Sequence, residues 1–138
     1  MKSTPFNPDT DLAPMPFSKD ICASAARMQE KGLPWRPHAG CFVWDRDGII
    51  EVPSPFLNRI YFILNLGHFL KRIGSMEEME RKLVWLPTWH QALQICNNLN
   101  ISEDTVESVV RSLSANDPEG GLRRLYELIS EHIVRTQE

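Results

Sequence analysis

The sequence has no long basic run, no glycine-rich phosphate-binding loop and no apolar segment long enough to cross a membrane. Its 138 residues carry 15 lysine and arginine side chains against 18 aspartate and glutamate side chains, a net charge of -3. Nothing therefore attracts the whole chain to nucleic acid or to anionic lipid. The adjacent glycines, Gly120 and Gly121, are not followed by the Lys-Ser or Lys-Thr pair of a nucleotide-binding loop. The apolar run at residues 60–64 is far shorter than the roughly 20 residues of a membrane-spanning helix.

Cysteine is also scarce. Cys22, Cys41 and Cys96 are odd in number and far apart, so they define no disulfide framework and fit reduced thiols. His38 and Cys41 have a spacing that could bind zinc, but no second close pair of ligands accompanies them, and we predict no metal site and no other cofactor. The first ten residues lack the apolar stretch of about 7 to 15 residues that a secretion signal needs. We therefore expect a cytoplasmic protein.

The remaining composition is typical of one globular domain, since 42% of the residues are hydrophobic and 24% are charged. Four of the first seventeen residues are proline, which lacks a backbone donor and disfavours helix in the residue before it. We expect residues 1–17 to form an extended arm. We expect residues 18–138 to form a single domain, which at this length can bury a core without disulfides or metal.

Capping residues divide this domain into segments with the apolar spacing of helices. Four residues typical of helix N-caps each precede such a segment: Ser18, Ser75, Thr88 and Ser102. A further amphipathic segment runs through residues 122–135, with leucine and isoleucine side chains along one stripe. Most of the chain is thus predicted to be helical.

Two segments in the middle of the chain complete the predicted fold. Residues 58–74 carry apolar side chains at steps of three and four, which favours a central helix, although residues 60–64 alone could form a strand. Residues 41–52 contain two short β-branched and aromatic runs around Asp47 and Gly48, which predicts a β-hairpin. The predicted class is mainly α (α+β), with five to six helices packed around the central helix and one β-hairpin in the N-terminal half.

Residues 94–113 resemble a DNA-binding helix-turn-helix in their spacing. Cys96 stands where that motif has a small residue, and Asn100 can adopt the left-handed conformation of its turn. The motif would place residues 104–113 in the major groove as a recognition helix. Residues 102–116, however, carry three acidic side chains against one arginine, which would repel phosphates. We favour two packed helices joined by a tight turn, with nucleic acid not the expected partner, and keep a DNA-binding regulator as an alternative.

The stretch LPWRPHAGCFVWD, residues 33–45, places two tryptophans, two prolines, an arginine, a histidine and a cysteine within thirteen positions, which is unusual for a plain loop. A polar stripe also recurs at helical spacing on the predicted central helix: Asn58, Tyr61, Asn65, His68 and Arg72. The stripe could be an ordinary solvated face, and the stretch could simply dock the hairpin on the helices. If the two face each other, they line an amphipathic cleft suited to a small anionic ligand or a peptide. The candidate binding residues are then Trp35, Arg36, His38, Asn65, His68 and Arg72.

These patterns favour a binding or regulatory module over an enzyme. Arg36 and Arg72 would meet a carboxylate or phosphate, and Trp35 would supply apolar contact. The expected partner is a protein or a small anionic ligand, with no membrane association, and a homodimer is compatible with the sequence. We assign no catalytic residue; a small enzyme that uses His38, Cys41 or His68 is a further alternative.

Overall fold

The computed structural model describes residues 7, 9–12, 17–54, 56–111, 117 and 119–137, with side chains as far as residue 133. Within these residues the helices are α1 (Lys19–Glu30), α2 (Leu66–Ile73), α3 (Met76–Lys82), α4 (Trp89–Asn98), α5 (Glu103–Arg111) and α6 (Gly120–Gln137). The strands are β1 (Phe42–Trp44), β2 (Ile60–Phe62) and β3 (Val84–Leu86). The predicted mainly helical α+β class is confirmed. None of the described helices is long and apolar enough to span a membrane.

Four helices begin at the capping residues that the sequence indicates. The side-chain oxygens of Ser18, Ser75, Thr88 and Ser102 each accept a hydrogen bond from the backbone N–H three residues later. At Thr88 the cap is reciprocal, because the side chain of Gln91 accepts from the N–H of Thr88. Each cap satisfies a donor that the first helical turn cannot use internally, which fixes where the helix starts.

The three strands form one antiparallel sheet in the order β2-β1-β3. Val43 in the central strand is opposite Tyr61 on one side and Trp85 on the other. Because successive side chains of a strand point to opposite faces, these three residues share one face, while Phe42 and Trp44 share the other. Both faces are covered, so the sheet divides the apolar core into two clusters.

The larger cluster packs α1, α4 and α6 against one face of the sheet. Its fully buried members include Ile21, Met28, Leu125 and Ile129. Tyr126 is also fully buried, and its hydroxyl donates to the carbonyl of Pro87, which satisfies the only polar atom of that side chain.

The smaller cluster packs α2 and α3 against the opposite face. Met79 and Leu83 are fully buried beneath the half-buried side chains of Phe69 and Leu70. The side-chain amide of Gln29 in α1 donates to the carbonyls at the end of α3, 2.8 Å to Glu80 and 2.9 Å to Leu83. This side chain thereby links α1 in one layer of helices to α3 in the other.

The prediction of a central helix over residues 58–74 is wrong. Residues 60–62 form β2, and the helix begins only at Leu66, where the side chain of Asn65 accepts from the N–H of His68. Helices cover both faces of the sheet, so the strand is apolar on both sides and its sequence does not alternate. Such a continuous apolar run cannot be told from a buried helix by its spacing.

The prediction of a β-hairpin over residues 41–52 is also wrong. The turn forms, with Gly48 at a φ of 68°, but the residues after it do not pair with β1. The buried carboxylate of Asp45 instead accepts from the N–H groups of Ile49 (3.0 Å) and Ile50 (2.8 Å), which removes those donors from a ladder. β1 therefore pairs with the distant strands β2 and β3.

The expected extended arm, residues 1–17, lies largely outside the described residues. Its described part contains a turn, in which the N–H of Asp11 donates to the carbonyl of Asn7 (2.8 Å). Phe17 at its end is 6% exposed, and its ring centroid lies 5.2 Å from that of Phe42. The end of the arm is therefore anchored on the sheet.

Candidate functional site

A cavity of about 280 Å³ lies between α2 and the loop at residues 49–53. Seven residues line it: Ile50, Val52, Pro53, Tyr61, His68, Phe69 and Arg72. Five of them present apolar or aromatic side chains, and no carboxylate lines the cavity among the described residues. We call this cavity the α2 cleft. Its composition, apolar with a few polar groups, is that of a site for small ligands.

The loop that forms one wall of the α2 cleft is fixed at both ends. The two hydrogen bonds from Ile49 and Ile50 to the carboxylate of Asp45 hold its beginning. The hydroxyl of Tyr61 donates to the carbonyl of Val52 and holds its end against β2. Because the wall is already in place, a ligand would not have to order it on binding.

Two of the residues that line the α2 cleft, Tyr61 and Phe69, are aromatic. The ring of Tyr61 meets that of Phe69 edge to face, with 6.2 Å between centroids and an interplanar angle of 84°. Burial raises the pKa of Tyr61, and the negative charge of Asp45 adds to the effect. The phenol therefore stays protonated at neutral pH and keeps its hydrogen bond to the loop.

His68 and Arg72 give the α2 cleft its polar character. They are four residues apart on α2, so they lie on the same face of the helix, and both are exposed. Among the described residues Arg72 forms no ion pair, which leaves its guanidinium available for a carboxylate or phosphate. The helix also carries Lys71 and no acidic residue, so its exposed face is cationic.

The other predicted site residues are not brought to the α2 cleft. Trp35 stacks on Trp85, and its indole N–H donates to the carbonyl of Glu80 (3.4 Å). Arg36 and His38 are exposed and do not line the cavity. Asn65 acts as the N-cap of α2. Of the six residues proposed from the sequence, the structure places His68 and Arg72 together.

The loop residues Ile50, Val52 and Pro53 were missed as site residues. Ile50 and Val52 lie in the segment that was expected to pair with β1 as a hairpin, and Pro53 directly follows it. Their position depends on the hydrogen bonds of Asp45 and Tyr61 across the fold. The sequence signals for the turn are Asp45, Asp47 and Gly48, and the same residues also fit a hairpin.

The residues of the enzyme alternative do not form a reactive group with one another. Cys41 is fully buried, and burial raises the pKa of its thiol, which disfavours the nucleophilic thiolate. The Nδ1 atom of His38 lies 2.9 Å from the carbonyl of Ala39, whereas His68 lines the α2 cleft. In the described part of the chain, no three His, Cys, Asp or Glu side chains form a group that could hold a metal ion.

The helix pair α4–α5 has the turn that the sequence indicated. Asn100 adopts a φ of 60°, and the N–H of Ile101 donates to the carbonyl of Cys96 (3.0 Å). The exposed positions of α5 include Glu103, Asp104 and Glu107. This acidic surface opposes contact with DNA phosphates, although the backbone geometry is compatible with a helix-turn-helix.

Comparison with protein-family models, with curated proteins and with solved structures finds no match for this chain.

Proposed function

We propose that this protein is a binding module whose α2 cleft takes a small anionic ligand, or the end of a protein segment, with one apolar group beside the anionic one. The observation that carries the proposal is the position of Arg72 and His68 beside an apolar cavity of about 280 Å³. This volume lies just below the usual range for ligand sites, so it suits a single ring or branched side chain. The unpaired cysteines fit a role in the cytoplasm.

The test uses phenylacetate as the probe and its neutral amide, phenylacetamide, as the matched control. We expect phenylacetate to shift the backbone amide signals of residues 50–52 and 68–72 in proton–nitrogen correlation spectra. Phenylacetamide should bind more weakly, because it fills the cavity but offers no charge to Arg72. Equal affinity for the two compounds, or shifts confined to other parts of the protein, would overturn the proposal.

Two variants separate the role of the cleft from general charge effects. Arg72→Ala should lower the affinity for phenylacetate about fivefold while leaving that for phenylacetamide unchanged. Arg36→Ala removes an equal charge from an exposed position outside the cavity and should have little effect. If both variants weaken binding equally, the charge acts at long range and the cleft is not the site.

A further inference from the structure

The geometry points to a second binding site, for a compact organic phosphate, at the cavity between the first turn of α1 and the 3₁₀ turn at Leu57–Arg59. This cavity of about 390 Å³ is lined by Lys19, Cys22, Trp44, Asn58 and Arg59. We call it the cationic cavity. Cys22 and Trp44 belong to the larger apolar cluster, so it lies on the opposite face of the sheet from the α2 cleft. The inference is therefore independent of the proposed function.

The charges that line the cationic cavity have one sign. Lys19 and Arg59 are both cations, and neither forms an ion pair with a residue that the structure describes. Burial raises the pKa of Cys22 to about 12, so the thiol is neutral and does not repel an anion. Glu119 is close enough to contribute to that increase, but it does not line the cavity. The charged side chains that line the cavity therefore favour an anion.

Arg59 is held in place before any ligand arrives. Its Nε atom donates to the carbonyl of Asp45 (2.9 Å), and its Nη2 atom donates to the carbonyl of Arg46 (2.7 Å). These acceptors carry no net charge, so they fix the guanidinium without neutralising it. Asn58 and Arg59 adopt successive left-handed conformations, with φ values of 61° and 58°, and these bonds hold that turn in place. A fixed cation loses less conformational entropy on binding than a mobile one.

The lining selects an organic phosphate over a bare ion. Two cations and the amide of Asn58 can meet the oxygens of a phosphate monoester. The half-buried indole of Trp44 offers an apolar surface to the organic group. A cavity of this size holds both parts at once.

Phenyl phosphate is the probe, with inorganic phosphate and phenol as its two halves. We expect phenyl phosphate to shift the indole N–H signal of Trp44, assigned from Trp44→Phe, together with the backbone amides of Lys19, Asn58 and Arg59. Each half should bind more weakly than the whole. If inorganic phosphate binds as tightly as phenyl phosphate, or if the shifts map to the α2 cleft, the assignment of this ligand class to this cavity is overturned.

Variants that change one charge at a time complete the test. Lys19→Gln should weaken the binding of phenyl phosphate about threefold. Glu119→Gln should strengthen it, because a nearby negative charge is removed. Lys31→Gln, which removes the same charge just beyond the other end of α1, is the control and should leave the affinity unchanged. An effect of Lys31→Gln as large as that of Lys19→Gln, or no effect of Lys19→Gln, would contradict the proposal.

Discussion

The indole rings of Trp35 and Trp85 lie nearly parallel, with 6.1 Å between their centroids and an interplanar angle of 11°. Trp85 belongs to β3, whereas Trp35 lies between α1 and β1, so the stacked pair fastens this connection to the sheet. At Trp35, the aromatic stretch of residues 33–45 therefore contributes to packing. Its two tryptophans pack on opposite faces of the sheet. Trp35 packs against the smaller cluster, whereas Trp44 packs against the larger one.

Replacing Trp35 by alanine should destabilise the fold. The change removes the ring stacked on Trp85 and the hydrogen bond to Glu80, and because Trp35 is half-buried we expect a loss of about 2–3 kcal/mol in the free energy of unfolding. Urea unfolding followed by far-ultraviolet circular dichroism measures this loss. Arg36→Ala, at the neighbouring exposed position, is the control and should stay within about 0.5 kcal/mol of the parent protein. Equal stability of the two variants would show that the stacked pair contributes nothing.

Tyr61→Phe should loosen the wall of the α2 cleft. The change deletes the hydroxyl that bonds the carbonyl of Val52, so the loop at residues 49–53 loses one of its two anchors at a cost of about 1 kcal/mol. We expect faster hydrogen exchange at the amides of that loop and weaker binding of phenylacetate.

Tyr126→Phe provides the matched control for this variant. It removes a buried hydroxyl of the same kind, which donates to the carbonyl of Pro87. Tyr126 belongs to the larger cluster, away from the α2 cleft. Its effect on global stability should be similar, but it should not selectively accelerate amide exchange at residues 49–52. The same local acceleration in both variants would mean that the hydroxyl of Tyr61 does not hold the loop.

The sequence predicts structural features that depend on contacts between residues close together in the chain. It does not predict features that depend on contacts between residues far apart in the chain. The caps at Ser18, Ser75, Thr88 and Ser102 are contacts over three residues, and all four are confirmed. The pairing of β1 with β2 and β3 joins residues up to 44 positions apart, and no local pattern specifies it. The sequence accordingly predicted only one side of the α2 cleft. His68 and Arg72 share a helix face through their spacing, but the opposing loop is placed by tertiary hydrogen bonds.

The stability of the protein should fall in alkaline solution because of Cys22. Burial is the main reason that the pKa of its thiol is raised from 9.0 to about 12 in the folded state. The folded state therefore retains a proton that the unfolded chain releases. The stabilising contribution is fully present below about pH 9 and is lost as the pH rises towards 12.

Cys22→Ala isolates this contribution. Under reducing conditions, the loss of unfolding free energy between about pH 7.5 and pH 9.5 should be smaller in the variant by about 1 kcal/mol. Comparing two pH values within each protein removes the cost of the small cavity that alanine leaves. Buried Cys41 and Cys96, whose pKa values are also raised, maintain a shallower decline. An unchanged decline in Cys22→Ala would contradict the assignment.

The turn between α4 and α5 depends on the backbone of Asn100, whose φ of 60° is unfavourable for residues with a Cβ atom. Asparagine tolerates this region better than alanine does, and glycine adopts it without steric cost. Asn100→Ala should therefore lower the unfolding free energy by about 1 kcal/mol, whereas Asn100→Gly should leave it nearly unchanged, as measured by urea denaturation. Asn98→Ala and Asn98→Gly are the controls, since Asn98 belongs to helix α4 and should show the reverse order. Equal effects of alanine and glycine at position 100 would mean that the exposed side chain of asparagine, rather than its backbone conformation, determines the turn.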